Sequence, residues 1–302
     1  MEVTAKKKGV FKGHDGSLYT VGNSINRGCF LSAGSDKVVV EWDLDSPEPK
    51  SVIARTPGVI YCTCLIPEFG LLLVGTDQGG IHVIDLEKKA EVRYLLGHKA
   101  GVFEILWNPF KEEIFAAGGD GALTIWDIHD FHCKSTIDLG TKKLRGITFS
   151  RESGLIAVSR GDNKISLLST ETHEVIKTWE AHNSAVYAIT FDPTGKYLLS
   201  GGKDAHLNIW ETDEFKLIQS IPAHNYAIYS IVYHPQKQLF ATGSRDKTIK
   251  LWRADNFDFL LRIDKDNYDG HINSVNKIMW NLDGDYLISC SDDRTVISWE
   301  VL

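Results

Sequence analysis

Four stretches of the chain hold a histidine, a hydroxyl, an aspartate and a tryptophan at the same mutual spacing: His14, Ser32, Asp36 and Trp42; His182, Ser200, Asp204 and Trp210; His224, Thr242, Asp246 and Trp252; His271, Ser289, Asp293 and Trp299. Hydroxyl, imidazole and carboxylate are the parts of nucleophilic acyl transfer, in which histidine takes the proton of an exposed serine and aspartate orients the ring. That chemistry needs one such set, beside an oxyanion hole. A set that recurs four times in register answers a structural need instead, a hydrogen-bonded lock repeated in each unit of a repetitive fold. Such a lock stabilises only when every polar member is satisfied.

The elements that position these residues follow from self-comparison. Aligning GGKDAHLNIWE with GSRDKTIKLWR and GGDGALTIWDI puts Trp42, Ile84, Trp126, Leu168, Trp210, Trp252 and Trp299 at equivalent points, separated by 42, 42, 42, 42, 42 and 47 residues. A Gly-His or Ala-His pair precedes five of these anchors by 28 residues, at His14, His98, His182, His224 and His271. An aspartate precedes the anchor by six residues at positions 36, 120, 162, 204, 246 and 293. Between the markers lie short β-branched and aromatic runs such as AVYAITF and YLLSGG, broken by turn signals such as DPTG and NLDG, so each unit reads as four short strands.

With a Gly-His pair early in the unit and Trp-Asp at its end, these markers resemble the WD-repeat (Trp-Asp repeat, G-protein beta-subunit-like) family across essentially the whole chain. The resemblance implies an all-β, seven-bladed β-propeller of four-stranded antiparallel blades around a central channel, a single domain over residues 1–302. It also implies that an N-terminal strand, residues 3–11, joins the last blade and closes the ring, leaving no long open edge. The four polar sets become buried structural tetrads. Blade 3 keeps His98, Asp120 and Trp126 but has Ala116 at the hydroxyl position, which predicts a shortened network. Blade 2 has Thr56, Gln78 and Ile84, and blade 4 has Gly140 and Leu168 beside Asp162. These two blades are expected to rely on apolar packing and to be the softest.

Five residues after the histidine position stand Tyr19, Tyr61, Phe103, Arg145, Tyr187, Tyr229 and Asn276. In the family this position opens the innermost strand at the channel mouth, and five of the seven are aromatic, the residue class that dominates binding hot spots. The rings either grip a peptide or plug the channel. The residue before each turn aspartate faces the same rim: Ser35, Asp77, Gly119, Gly161, Lys203, Arg245 and Asp292. Lys142, Lys143, Arg145, Lys203 and Arg245 form a basic arc over blades 4 to 6, while Asp264, Asp266 and Asp269 enrich the DKDNYDG loop with acid. That loop lacks the closing glutamate of a calcium site, and the alternating Cys62 and Cys64 read as packing. No metal and no cofactor are expected.

With 33 basic and 40 acidic residues the net charge is -7, so the overall field repels a phosphate backbone and nucleic acid is not an expected partner. The five scattered cysteines lack zinc-site pairs, and no leader or membrane-length apolar stretch is evident, so a cytoplasmic protein without membrane contact is expected. The expected role is a non-catalytic scaffold, a monomeric propeller within a larger assembly that docks a peptide or loop of another protein on the aromatic face. The alternatives are a propeller enzyme, or a reader of small ligands or modified peptides that holds a cation in an aromatic cage beside Asp77 or Asp292.

Overall fold

The structure, a computed structural model, describes residues 3–302. Its strands form seven four-stranded sheets, six of which run consecutively in sequence. The seventh takes its fourth strand from the other end of the chain: Ala5–Lys12 pairs antiparallel with Thr295–Val301, Ala5 opposite Val301 and Lys12 opposite Thr295. The fold is a seven-bladed β-propeller closed by that pairing. Blade 1 begins at Leu18–Asn23, blade 2 at Ile60–Ile66, blade 3 at Val102–Asn108, blade 4 at Leu144–Ser150, blade 5 at Val186–Phe191, blade 6 at Ile228–Tyr233 and blade 7 at Val275–Trp280.

The chain divides into two compact units, one made of the stretch up to Val74 with His82–Arg93 and Tyr229–Leu302, the other of Gly75–Ile81 and Tyr94–Ile228. In the first unit, apolar side chains of neighbouring blades interlock in three clusters, around Leu251, Ile278 and Trp299, around Phe11, Phe30 and Trp42, and around Leu31, Ile60 and Leu72. In the second, Phe115, Leu144 and Ile156 form one cluster, and Ile165, Val186 and Trp210 another. First strands of neighbouring blades lie against one another within each unit. Second and third strands are almost wholly buried, and fourth strands such as Val175–Glu180 and Leu217–Pro222 are mostly exposed. Runs such as LNIW are therefore buried on both faces, whereas the fourth strand is the outer edge of its blade and pairs with the third alone.

The turn between second and third strands is built alike throughout. The residue after the aspartate position takes a left-handed backbone, at Lys37, Asn163, Ala205, Lys247 and Arg294 and at the glycines Gly79 and Gly121. A carboxylate at that position accepts the backbone N–H two residues on, as Asp204 does from His206 and Asp293 from Thr295. This side-chain turn holds non-glycine residues in a conformation they otherwise avoid.

The DKDNYDG segment is not the open acidic loop expected from its sequence. Lys265–Tyr268 forms one helical turn, capped at its start by the buried Asp264, which accepts from the Asn267 backbone N–H. Asp269 closes the turn in the left-handed region, and its carboxylate pairs with both Lys7 and Lys265. Two of the three acids thus serve the fold, and Asp269 fastens the closing strand to blade 7.

Candidate functional site

Each rim residue is the second of its blade's first strand, and in blades 1, 3, 4, 5 and 7 the ladder breaks there. Pairing with the second strand skips from Leu18 to Thr20, Val102 to Glu104, Leu144 to Gly146, Val186 to Ala188 and Val275 to Lys277. The skipped residues are Tyr19, Phe103, Arg145, Tyr187 and Asn276. A β-bulge leaves its extra residue out of the ladder and re-aims its side chain, and all seven rim residues, with Tyr61 and Tyr229, are half-buried. In these strands the buried positions are consequently not strictly alternate: Val102 and Ile105 are buried while Phe103 and Glu104 are not.

In blades 3 to 5 the bulged side chains stack. The Arg145 guanidinium lies 4.2 Å from the Phe103 ring centroid and 5.2 Å from that of Tyr187, and Lys143 Nζ lies 5.2 Å from the Phe103 ring. A cation held between the electron-rich faces of two rings is attracted to both, so this charge is fixed in place. In blades 7, 1 and 2 the arrangement is different. Tyr19 and Tyr61 meet with ring centroids 5.8 Å apart, and burial, followed by the charge of Asp292 and the neighbouring Tyr61, raises the Tyr19 phenol above its ordinary range. Asn276 is turned inward: its amide donates to the Leu18 carbonyl at 2.7 Å and to Asp292 at 2.8 Å. Asn276 and Asp292 therefore tie blade 7 to blade 1. Asp77, Lys203 and Arg245 are exposed in their turns.

The tetrads join from the blade interior to the turn. In blade 1 the Trp42 indole N–H donates to Ser32 Oγ at 2.6 Å, Ser32 meets His14 Nε2 at 2.8 Å, and His14 Nδ1 meets Asp36 at 2.6 Å. Blade 5 repeats the chain at 2.9, 2.8 and 3.0 Å through Trp210, Ser200, His182 and Asp204. Blade 7 does so at 3.0, 2.9 and 2.9 Å through Trp299, Ser289, His271 and Asp293. In blade 6 the Trp252 indole donates to Thr242 at 3.0 Å, beside the buried His224 and the turn residue Asp246. An indole only donates and a carboxylate only accepts, so the hydroxyl gives its proton to Nε2 and Nδ1–H points at the aspartate. Burial works to raise the carboxylate pKa of Asp36 and Asp204, but the histidine and backbone N–H donors outweigh it and hold both low. The same balance brings Asp293 down to about 2. The hydroxyls of Ser32, Ser200, Thr242 and Ser289 are wholly buried; no substrate carbonyl can reach them, so these sets cannot act as nucleophiles.

Two blades depart from expectation. Blade 3 does not have a shortened network: Thr124, from the third strand, replaces the missing hydroxyl, accepting the Trp126 indole N–H at 2.9 Å and meeting His98 Nε2 at 3.0 Å, while His98 Nδ1 meets Asp120 at 3.1 Å. Blade 4 does not rest on apolar packing alone. Arg160 reaches toward Gly140 at the vacant histidine position, grips Asp162 with two N–H groups at 3.0 and 2.6 Å, and donates to Ser166 at 3.0 Å. Blade 2 carries a buried His82 whose Nδ1 meets Glu91 at 2.9 Å. All three residues escaped sequence reasoning because they lie outside the repeating positions.

Elsewhere, Cys62 is buried and Cys64 half-buried, and neither is in a disulfide. Among the described residues, Asp127, Asp130 and His132 stand close enough to share a cation. Asp127 is already paired with Lys134, and Asp130 with His132, on an exposed turn.

A family model described as WD domain, G-beta repeat matches residues 5–43, 89–127, 173–211, 215–253 and 264–300. The unmatched repeats are those ending in Ile84 and Leu168, where tryptophan is replaced. The chain is similar to Transcription initiation factor TFIID subunit 5 of Caenorhabditis elegans, 32% identical over 146 residues, covering 47% of this chain and 22% of the relative. It is also similar to Autophagy-related protein 16 of Arabidopsis thaliana, 22% identical over 190 residues, 63% of this chain and 37% of the relative. A third similarity is to Meiotic fizzy-related protein 1 of Schizosaccharomyces pombe, 27% identical over 135 residues, 43% of this chain and 31% of the relative. The matches thus take in well under half of these relatives' own length. With the family model matching more than half of its residues, this chain belongs to the WD domain, G-beta repeat family.

Proposed function

We propose that the protein is a non-catalytic interaction scaffold that docks a peptide or loop of another protein on the face carrying the bulged first-strand residues. One observation carries this reading: the bulges lift large, stiff side chains out of the ladder at one strand end in several blades, and Arg145 is clamped between two rings before any ligand arrives. Immobilised aromatic and guanidinium groups lose little conformational freedom on binding, which favours affinity. A scaffold role is typical of the family, and one similar protein is by its name a subunit of a larger factor. The buried tetrad hydroxyls speak against hydrolysis at the only repeated nucleophile-like sets. Asn276 and Asp292, bonded to each other, contribute shape more than free polar groups.

The test is affinity purification from the native cell with quantitative mass spectrometry, comparing wild type with a Tyr187→Ala, Tyr229→Ala variant that melts within about 2 °C of it. Proteins lost only from the variant support docking on this face. Equal recovery of every partner assigns the rings to packing and refutes it.

A further inference from the structure

Resting on that docking role, we propose that the part of the face over blades 3 to 5 receives an acidic segment of the partner, a run of aspartate or glutamate side chains around an aliphatic residue. The residues concerned are Phe103, Lys142, Lys143, Arg145, Tyr187 and Lys203.

Three features converge on this ligand. The first is the glycine pair at the rim. Where other blades place Ser35, Asp77, Lys203, Arg245 or Asp292 just before the turn aspartate, blades 3 and 4 have Gly119 and Gly161. A Cβ on Gly119 would lie 2.9 Å from the Phe103 ring, and one on Gly161 3.1 Å from the Lys143 carbonyl and 3.6 Å from Lys142 Cβ. Any side chain at these two positions would stand beside the Phe103 ring and the Lys142–Lys143 loop. With glycine there, the Phe103 ring and the Lys142–Lys143 loop lie close against the turns, and no rim side chain of blades 3 and 4 stands in front of them. In blade 7 the same pair of positions is filled by Asn276 and Asp292 in direct contact, which shows how closely a rim residue approaches the bulge residue of its own blade. By that equivalence Lys203 stands beside Tyr187.

The second feature is charge. Lys142, Lys143 and Lys203 are exposed, and Arg145 adds a permanent cation fixed by its stacking. The carboxylates at these turns are directed inward. Asp120 accepts from His98 and from the backbone N–H groups of Lys99 and Ala122, Asp204 from His182, Asn183 and His206, and Asp162 from Arg160. The turn aspartates thus spend their carboxylates on their own blades, while the lysine side chains stand exposed at this rim although the chain as a whole is at -7. At about 0.15 M salt, charges beyond roughly 8 Å are largely screened, so the local cations govern what docks.

The third feature is the spread of that charge. Four cations distributed over blade 4, its entry loop and blade 5 match several separate single charges better than one compact dianion. Arg145 contributes a delocalised cation held against the Phe103 and Tyr187 rings, a charge type that favours carboxylate partners. The half-buried Phe103 ring offers its remaining exposed edge to the aliphatic residue between the acids.

The probe is a fluorescein-labelled peptide of ten residues alternating Glu and Asp around a central leucine, with a sequence-matched lysine peptide as its opposite. Binding to the full chain is read by fluorescence anisotropy in about 0.1 M and 1 M salt, between which the screening length falls from about 10 Å to about 3 Å. The acidic peptide is expected to bind and the lysine peptide not. Its Kd should rise about tenfold or more in Lys142→Glu, Lys143→Glu, as reversal of docking charges predicts. A control pair, Lys196→Glu, Lys216→Glu, changes net charge equally from turns at the opposite strand ends of blade 5 and should shift Kd less than twofold. Equal losses in both pairs would reduce the effect to net charge and overturn the assignment. Absence of acidic-peptide binding, with cellular partners still lost from the Tyr187→Ala, Tyr229→Ala variant, would overturn the acidic ligand while leaving the docking role intact.

Discussion

Replacing Arg160 by alanine removes the one side chain that does in blade 4 what histidine does in its neighbours. Arg160 is mostly buried, at 12% side-chain exposure, and Asp162 remains 27% exposed. Breaking a fully buried ion pair costs about 3–5 kcal/mol, because the orphaned charge stays behind. Since water reaches Asp162 in part, about 2 kcal/mol is expected, including the lost donor to Ser166. With an unfolding entropy of about 2.1 cal/mol/K per residue over the whole chain, that lowers Tm by about 3 °C. Calorimetry measures the shift, and hydrogen exchange should localise it to the turn between Leu155–Arg160 and Lys164–Ser169. Arg160→Lys keeps the charge but cannot reach Asp162 and Ser166 with separate N–H groups of one planar fork, so it should recover less than half of the loss. A double-mutant cycle of Arg160→Met with Asp162→Asn should give a coupling of about 1–3 kcal/mol. A melting temperature within 1 °C of wild type for Arg160→Ala, with no change in exchange at that turn, would refute the substitution of arginine for histidine and return blade 4 to apolar packing.

Three further outcomes are expected. Thr124→Val leaves the Trp126 indole N–H and His98 Nε2 without their shared hydroxyl and should cost about 1–3 kcal/mol in denaturant titration, whereas Thr136→Val, on the exposed fourth strand of the same blade, should cost under about 0.5 kcal/mol. Asp293, held at about 2 by donors that overcome its burial, stabilises the fold above the unfolded carboxylate pKa near 4 and loses that contribution as pH falls through its folded value. Asp293→Asn should therefore flatten the stability profile between about pH 4 and pH 2, and a profile parallel to wild type in that window would contradict the linkage. Ala205 sits at φ 66°, so Ala205→Gly should raise stability by about 0.5–1 kcal/mol through relief of left-handed strain, net of the added unfolded-chain entropy.

The period and the strand count were legible because they rest on residues that recur at fixed separations, and the closing strand because the family resemblance implies it. What escaped the sequence sits where one blade solves the common problem with different atoms. Ala116 faces Thr124 directly across the ladder between second and third strands, so a hydroxyl two residues before the anchor reaches the point served elsewhere from ten residues before it. Reading that register alongside the repeat would have found it. Arg160 follows the same logic. In blades 3 and 5 its position is Gly118 and Gly202, where a Cβ would fall within 2.1 Å of His98 and 2.5 Å of His182. A histidine there requires almost nothing at this position, and Gly140 in place of histidine opens the space that the arginine enters. The two changes are one exchange, visible only when the blades are compared position against position. The bulge that creates the rim left a trace of its own: in VFEI the buried Val102 and Ile105 are three residues apart where a regular strand alternates by two. A broken alternation at the same point of several blades therefore marks the place where the ladder releases a side chain, and in this fold it marks the candidate docking face.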